Sequence, residues 1–166
     1  MMDNEIYGLT KGHAGPTTPS GDMTKSTTYG NPDPSVDPCA LAIAVGASWV
    51  GRGFSGDVKG TTDLMKRAIA HHGFAFLNII SPCVTWRGDD QHKELRAKVR
   101  QLPPGHDVTN REAATRFTDE GDELTVGVLY DVMRPTLVDQ LAEIERRARG
   151  DRQPPACDAF LAPFQM

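Results

Sequence analysis

The chain has few cysteines, and no two of them lie close together in the sequence. The three are Cys39, Cys83 and Cys157, and no Cys-x-x-Cys spacing occurs among them. A chain with this spacing cannot build a closed zinc site by itself. An odd number of cysteines without a secretory signal also argues against a disulfide framework. We therefore expect reduced thiols, with Cys39 in the core and Cys157 exposed.

Long apolar runs and a surplus of basic residues are also absent. Apolar stretches such as Phe74–Ile80 are far too short to span a bilayer, and no charged-then-apolar signal segment opens the chain. The formal net charge is −4 and the pI is near 5.7, which does not favour a nucleic-acid-binding surface. The sequence therefore predicts a cytoplasmic protein whose partners include neither a membrane nor a nucleic acid.

Strand and helix patterns alternate along the 166 residues. Short apolar segments predict strands over residues 48–53, 74–80 and 124–132. Capped or amphipathic segments predict helices over residues 38–46, 61–72, 92–102, 110–120 and 134–150. The nearly continuous apolar run at 74–80 suits a parallel strand that is buried on both faces. The pattern indicates the α/β class, with a mostly parallel sheet flanked by helices.

The first two helices have identifiable start positions. Asp37 is a favourable N-cap, and Pro38 suits the first helical position. Thr61 or Thr62 is the predicted N-cap of the second helix, which we expect to run to His72. The predicted apolar face of that helix consists of Leu64, Ala68 and Ile69.

Residues 10–38 are rich in Gly, Pro, Ser and Thr, and we expect them to form a long loop. Loops of this length are uncommon inside a compact domain and are usually functional or disordered. The contrast with the apolar segments around it favours a functional loop.

The segment that begins at Asp3 has the residue types of a phosphate and metal site. In open α/β sheets, ligands bind beyond the carboxyl ends of the strands. Asn4 offers an amide oxygen of the kind that magnesium accepts, and Gly8 allows close backbone approach to phosphates. Thr10 adds a hydroxyl, and Lys11 adds a charge for an anionic substrate. The alternative is an ordinary Asn-x-x-Tyr-Gly turn.

Cys83 follows Pro82 directly after the predicted strand at 74–80. Such a cysteine is either a small packing residue or a ligand. A single cysteine cannot hold an iron–sulfur cluster, so the second interpretation requires partners from elsewhere. Trp49 and Trp86 are interpreted as packing residues.

Several uncommon strings occur together in one order, at residues 3–18, 29–57, 68–86 and 105–114. Together they resemble the β subunit of the 2-oxoacid:ferredoxin oxidoreductases, and the resemblance covers roughly residues 3–143. It implies a thiamine-diphosphate-binding fold with thiamine diphosphate, Mg²⁺ and a 4Fe–4S cluster as cofactors. It also implies oxidative decarboxylation of a 2-oxoacid to an acyl-CoA, with electrons passed to ferredoxin, in a complex with an α subunit.

The resemblance assigns roles to residues of the first segment. It implies that Asn4 binds magnesium through its side chain and Ile6 through its backbone carbonyl. It places Gly8, Leu9 and Thr10 at the border of the diphosphate and the thiazolium pocket.

Further roles follow from the same resemblance. Leu9 and Lys11 match the turn that meets the substrate and CoA path. Cys83 matches the family's fourth cluster cysteine, which is remote in sequence from the other three. His13 stands where the family usually has glutamine, and it is either a substrate contact or a simple loop histidine.

The chain also lacks motifs that the family has upstream, namely a Cys-x-x-Cys pair, a third cysteine and a Gly-Asp-Gly motif. We therefore expect a C-terminal portion of the subunit, with the N-terminal half of the fold missing and no activity alone. The predicted division is 1–89 for the cofactor-binding part, 90–150 for the C-terminal region of the β subunit and 151–166 for a flexible tail. The alternatives are a non-catalytic remnant that only docks to an α subunit, and a different thiamine-diphosphate enzyme, against which Cys83 argues.

Overall fold

The computed structural model describes residues 1–118, 123–150, 152 and 157. The strands in these residues are β1 (Met2–Asp3), β2 (Trp49–Phe54), β3 (Ala75–Ile80), β4 (Val99–Gln101) and β5 (Leu124–Asp131). The helices are α1 (Pro38–Ala44), α2 (Val58–Ala70), α3 (Val84–Arg87), α4 (Gln91–Lys98), α5 (Arg111–Arg116) and α6 (Leu137–Arg149). The chain divides into one unit, Met1–Arg134, and a second that begins at Pro135. Apart from residues 152 and 157, the predicted tail at 151–166 lies outside the described residues.

The five strands form one sheet in the order β1-β3-β2-β5-β4. The pairs β1–β3, β2–β3 and β4–β5 are parallel, and only β2–β5 is antiparallel among these neighbours. The predicted mostly parallel α/β sheet is therefore confirmed. Because β1, β2 and β3 run in the same direction, their carboxyl ends lie at one edge of the sheet, where the segments after β1 and β3 leave it.

Helix α1 begins where the sequence predicts. The Asp37 side chain accepts a hydrogen bond from the Ala40 backbone N–H at 2.8 Å, and Pro38 occupies the first helical position. Cys39 is fully buried in a cluster with Ile43 and residues of β2 and β5. The predicted core position of Cys39 is confirmed.

Helix α2 begins earlier than predicted, because Asp57 rather than Thr61 or Thr62 caps it. The Asp57 carboxylate accepts from the Gly60 backbone N–H at 3.0 Å. Thr61 lies inside the helix, where its buried hydroxyl donates to the Phe54 carbonyl at 2.8 Å. That bond ties α2 to the end of β2.

The end of α2 also differs from the prediction. The helix stops at Ala70, and His71 has extended backbone. The His71 ring lies 2.9 Å from Ser48 Oγ and 3.4 Å from an Asp131 oxygen, so it holds the helix end against β2 and β5. Of the predicted apolar face, Leu64 is buried and Ala68 packs against the same core cluster, whereas Ile69 is 84% exposed.

The segment predicted as helix over 92–102 changes structure part-way. Helix α4 ends at Lys98, and the next three residues form β4, whose Val99 is in register with Leu124 of β5. The Leu102 N–H donates to the Val126 carbonyl at 3.1 Å beyond the strand. Residues 99–101 therefore pair with β5 and do not form the last turn of the predicted helix.

Helix α6 lies in the second unit and begins with a capping box. The Thr136 hydroxyl accepts from the Asp139 N–H, and the Asp139 carboxylate accepts from the Thr136 N–H at 2.7 Å. Glu143 pairs with Arg146 and Arg147 along the helix. Across the described ranges, no helix combines the length and apolar character needed to cross a membrane.

Candidate functional site

The segment after β1, which begins at Asn4, and the segment after β3, which leads to Cys83, leave the sheet side by side. Strands β1 and β3 pair with Asp3 opposite Ile80, and the Ser81 N–H donates to the Asp3 carbonyl at 2.7 Å. The chain after Asp3 therefore starts beside the segment that leads to Cys83. The two segments are far apart in the sequence, and the parallel pairing of β1 and β3 brings them together.

Asn4 and Ile6 lie in one tight turn. The Asn4 side-chain oxygen accepts from the Ile6 N–H at 3.1 Å, and Asp3 Oδ1 accepts from the Glu5 N–H at 3.1 Å. Glu5 adopts a left-handed backbone with φ 57°, which is uncommon for a residue other than glycine. The turn therefore fixes the Asn4 amide and the Ile6 backbone close together.

The donor atoms of this turn fit part of a magnesium site. An amide oxygen has a second lone pair after accepting one hydrogen bond, and magnesium is typically bound by a few protein oxygens together with phosphate oxygens and water. Asn4 and Ile6 thus offer two neutral oxygens of the right kind. Within the described residues, no three His, Cys, Asp or Glu side chains are arranged to hold a metal ion. The turn therefore suits a magnesium ion that also binds a diphosphate, and it does not suit an ion held by protein alone.

Residues 7–13 form a closed loop after this turn. The Tyr7 N–H donates to the His13 carbonyl at 2.9 Å, and the Gly12 N–H donates to the Tyr7 carbonyl at 3.0 Å. The Lys11 N–H donates to the Gly8 carbonyl at 3.0 Å, which closes a turn inside the loop. We call residues 7–13 the glycine loop.

The tip of the glycine loop points three side chains outward. Leu9 is 99% exposed, and Thr10 and Lys11 are also exposed. The Thr10 hydroxyl donates to the Tyr7 carbonyl at 3.2 Å, and Lys11 has a left-handed backbone with φ 68°. Leu9 and Lys11 are therefore available to a ligand or a partner.

Trp86 packs against the base of the glycine loop. A Cβ placed on Gly12 would lie 3.1 Å from the Trp86 ring, and one on Gly8 would lie 3.6 Å from it. The Lys25 ammonium lies 4.5 Å from the centroid of the same ring. Trp86 belongs to α3, which starts directly after Cys83, so its ring connects the loop to the cysteine segment. The predicted packing role is confirmed, but nothing in the sequence indicated these particular contacts.

We expect Gly12→Ala to lower the free energy of unfolding by about 2 kcal/mol. About half of this loss comes from the left-handed backbone, φ +91°, and the rest from displacing the Trp86 ring. Gly105→Ala is the matched control, because Gly105 has φ +88° and nothing within 4 Å of its added Cβ. Urea unfolding measures both losses, and equal losses would mean that Trp86 does not restrain the loop.

Cys83 is partly exposed at the start of α3, and its N–H donates to the Gln91 side-chain oxygen. Cys39 is buried, and burial raises the pKa of its thiol to about 12. Cys157 is exposed. Cys83 directly precedes α3, whose Trp86 packs against the glycine loop. One thiolate does not fit a 4Fe–4S cluster, which needs four protein ligands.

A charged cluster holds the Asn4 turn to α3. An Arg87 nitrogen lies 3.4 Å from a Glu5 carboxylate oxygen and also pairs with Asp22. Burial raises the pKa of Glu5, and the nearby carboxylates of Asp3 and Asp22 act in the same direction, whereas Arg87 opposes the rise. Burial prevails, so Glu5 is harder to ionise in the folded chain than in the unfolded chain.

Glu5→Gln is expected to change how stability depends on pH. Because the pKa of Glu5 is raised on folding, the folded chain binds more protons than the unfolded chain just above the ordinary value of 4.5. Glu5 therefore makes the wild type lose stability, relative to Glu5→Gln, as the pH rises through that window. Urea unfolding from about pH 4 to about pH 7 measures the difference. The exposed Glu145→Gln variant is the control, and a difference of opposite sign would show that pairing with Arg87 outweighs burial.

Comparison with known proteins gives two adjoining family matches. The family described as "Thiamine pyrophosphate enzyme, C-terminal TPP binding domain" matches residues 1–79. The family described as the C terminal of the pyruvate ferredoxin oxidoreductase beta subunit matches residues 83–146. The chain belongs to the β-subunit family of the 2-oxoacid:ferredoxin oxidoreductases. The first match contains the Asn4 turn and the glycine loop, and the second begins at Cys83.

Relatives in this family cover most of the chain. A 2-oxoacid:ferredoxin oxidoreductase β subunit from Sulfolobus sp is 35% identical over 78% of this chain and 47% of its own length. A β subunit from Aeropyrum pernix is 34% identical over 86% of this chain and 49% of its own length. This chain therefore spans about half the length of these curated relatives.

A solved structure gives the same fold. The 2-oxoglutarate:ferredoxin oxidoreductase from Magnetococcus marinus, with 2-oxoglutarate, coenzyme A and succinyl-CoA bound, matches with a TM-score of 0.83 and 33% identity. The match covers 99% of this chain and 56% of that chain. Fold class and family thus agree with the resemblance found in the sequence.

Proposed function

We propose that the chain forms part of the β subunit of a 2-oxoacid:ferredoxin oxidoreductase. The assembled enzyme would convert a 2-oxoacid and CoA to an acyl-CoA and CO₂, with electrons passed to ferredoxin. The observation that supports this best is the adjacency of the Asn4 turn, the glycine loop and Cys83 at one edge of the sheet. That edge is where open α/β sheets bind ligands.

The Asn4 turn and the glycine loop are the proposed thiamine diphosphate site. Asn4 would bind Mg²⁺ through its side-chain oxygen and Ile6 through its carbonyl oxygen, while Gly8, Leu9 and Thr10 border the diphosphate and the thiazolium. When bound, thiamine diphosphate supplies the carbanion chemistry, and the protein supplies orientation and charge. The turn keeps the Asn4 side chain and the Ile6 backbone close together, which would favour their binding one ion.

Leu9 and Lys11 are the proposed substrate contacts. Both side chains extend from the exposed tip of the glycine loop. The substrates, a 2-oxoacid and CoA, are anionic, so the Lys11 ammonium would attract them, and Leu9 would contact their apolar parts. Exposure of Leu9 in the chain alone is consistent with a surface that becomes covered by a ligand or by another subunit.

Cys83 is the proposed fourth ligand of a 4Fe–4S cluster. Its three companions would come from the part of the β subunit that this chain does not span. We therefore propose no oxidoreductase activity for this chain alone, an α subunit and ferredoxin as its protein partners, and a cytoplasmic location. The division at residues 89 and 90 between a cofactor-binding part and the C-terminal region of the β subunit stays a prediction.

Reconstitution tests this function. The chain is assayed alone, and then co-expressed with the α subunit and the remaining β-subunit portion of the Magnetococcus marinus enzyme. The assay contains 2-oxoglutarate or pyruvate, CoA and a viologen acceptor. We expect turnover and iron only in the assembly. Robust turnover by the chain alone would contradict the proposal, and a complex with neither iron nor turnover would identify a docking remnant. Decarboxylation without reduction of the acceptor would identify a different thiamine-diphosphate enzyme.

A further inference from the structure

Arg87 joins three segments of the first unit that are far apart in the sequence. It belongs to α3, and one of its guanidinium nitrogens lies 3.4 Å from a Glu5 carboxylate oxygen and also pairs with Asp22 in the long loop at 10–38. The Arg87 and Glu5 side chains are 18% and 14% exposed. Because water is partly excluded from this pair, its charges attract more strongly than those of an exposed pair.

Glu5 stands between the two proposed magnesium ligands, Asn4 and Ile6. Its backbone is left-handed, with φ 57°, a conformation in which the Cβ of any residue other than glycine crowds the following carbonyl. Without restraint, residue 5 would therefore relax toward an ordinary backbone conformation. Because Asn4 and Ile6 flank it, that rotation would move the Asn4 amide and the Ile6 carbonyl apart.

The three polar groups of Glu5 are each held by a different residue. Asp3 accepts from the Glu5 N–H at 3.1 Å, and the fully buried Thr18 donates its hydroxyl to the Glu5 carbonyl at 2.5 Å. Arg87 holds the carboxylate. The bonds to Asp3 and Thr18 fix main-chain atoms, and any side chain at position 5 allows them. Arg87 is therefore the restraint that depends on the side chain being glutamate.

We infer that Arg87 is a positioning residue for the cofactor. By holding the Glu5 carboxylate it keeps residue 5 left-handed, and so keeps Asn4 and Ile6 arranged to bind one magnesium ion. This inference rests on the proposed function for the identity of the ligand. Charge repulsion alone would have the opposite effect, because a cation near Mg²⁺ weakens its binding. Removal of Arg87 therefore weakens cofactor binding if the residue positions the turn, and tightens it if only its charge matters.

Arg87→Met tests the inference through cofactor affinity. The control is Arg116→Met, because Arg116 is 73% exposed and pairs only with Glu112 of the same helix among the ion pairs of the described residues. Each variant is assembled with the α subunit and the remaining β-subunit portion of the Magnetococcus marinus enzyme, and calorimetry measures the binding of magnesium thiamine diphosphate. We expect Arg87→Met to weaken binding about tenfold and Arg116→Met to leave it unchanged. Unchanged or tighter binding by Arg87→Met overturns the inference.

Glu5→Gly separates an effect through Glu5 from an effect of α3 itself. Glycine adopts a left-handed backbone without a steric penalty, and the main-chain bonds to Asp3 and Thr18 do not need the glutamate side chain. We therefore expect Glu5→Gly to bind the cofactor nearly as well as the wild type. Arg87→Met added to Glu5→Gly should weaken binding by no more than about twofold. A full tenfold loss in the double variant would show that Arg87 acts through α3, and would overturn the inference.

Hydrogen exchange of the full 166-residue chain gives a readout that needs no cofactor. The Ile6 N–H donates to the Asn4 side chain at 3.1 Å, so its exchange reports opening of the turn. Because affinity falls with the fraction of chains in the binding-competent state, we expect Arg87→Met to speed exchange at Ile6 about tenfold or more, and Arg116→Met to leave it unchanged.

The outcomes of the exchange measurement separate the inference from the proposed function. Unchanged exchange at Ile6 in Arg87→Met overturns the inference. Faster exchange, together with a wild-type assembly that does not bind the cofactor, contradicts only the proposed function. Exchange in β2, whose residues are all buried, shows whether each variant is folded. If Arg87→Met loses that protection, Arg87→Lys replaces it, because lysine keeps the charge without the planar fork. We then expect a smaller change in the same direction, and no change would overturn the inference.

Discussion

Asp37→Ala is expected to lower the free energy of unfolding by about 4 kcal/mol, because Asp37 has two structural roles. Its carboxylate caps α1 through the Ala40 N–H, which contributes about 1 kcal/mol. The same carboxylate pairs with Arg52, whose side chain is 4% exposed. Removing one partner of a buried ion pair leaves an uncompensated charge and costs about 3 kcal/mol or more.

Asp57→Ala separates the two contributions. Asp57 also caps a helix, through the Gly60 N–H, but it is exposed. We expect its loss to cost about 1 kcal/mol. The double variant Asp37→Ala/Arg52→Met should recover most of the loss attributed to the ion pair, since it removes both charges. If urea unfolding gives equal losses for the two aspartate variants, the pair with Arg52 contributes nothing to stability.

Cys83→Ser is expected to reduce the iron content of the assembled β subunit to background and to abolish viologen reduction. A 4Fe–4S cluster needs four thiolates, and Cys83 is the proposed fourth ligand. It is partly exposed and directly precedes α3, whose Trp86 packs against the glycine loop. The isolated Cys83→Ser chain should unfold at nearly the same urea concentration as the wild type. Its backbone N–H can still donate to Gln91 after the substitution.

Cys157→Ser is the matched control for that variant. Cys157 is exposed, and we expect its replacement to leave both iron content and turnover unchanged. Iron analysis, electron paramagnetic resonance and the viologen assay provide the readouts. A Cys83→Ser assembly with full iron content would mean that Cys83 is only a packing residue and that another group completes the cluster.

The sequence predicted correctly those helix boundaries that depend only on neighbouring residues. Asp37 and Pro38 define the start of α1 within two residues of sequence, and α1 begins there. The cap of α2 was missed because both predicted capping residues lie inside the helix with their hydroxyls engaged, and Thr62 donates to the Val58 carbonyl at 2.7 Å. Thr61 is bonded to the Phe54 carbonyl of β2, so Asp57 remains to cap the helix. The contact that decides between them is tertiary and cannot be read from the helix itself.

Pairing between distant segments accounts for the other differences. Residues 99–101 become a strand because β5, more than twenty residues later, supplies hydrogen-bonding partners. Trp86 meets Gly8 and Gly12 because β1 pairs with β3. The resemblance to the family located the Asn4 turn, the glycine loop and Cys83 by position. It said nothing of the Trp86 and Arg87 contacts that hold these parts together.

The position of Trp86 gives the chain its own optical probe. The protein has two tryptophans, and Trp49 is 1% exposed in the core, where its emission should be blue and insensitive to added solutes. Trp86 lies partly exposed against the glycine loop, so red-edge excitation should select it. Acrylamide quenching at that wavelength would report occupancy of the loop by thiamine diphosphate or a partner subunit, without a label and without turnover.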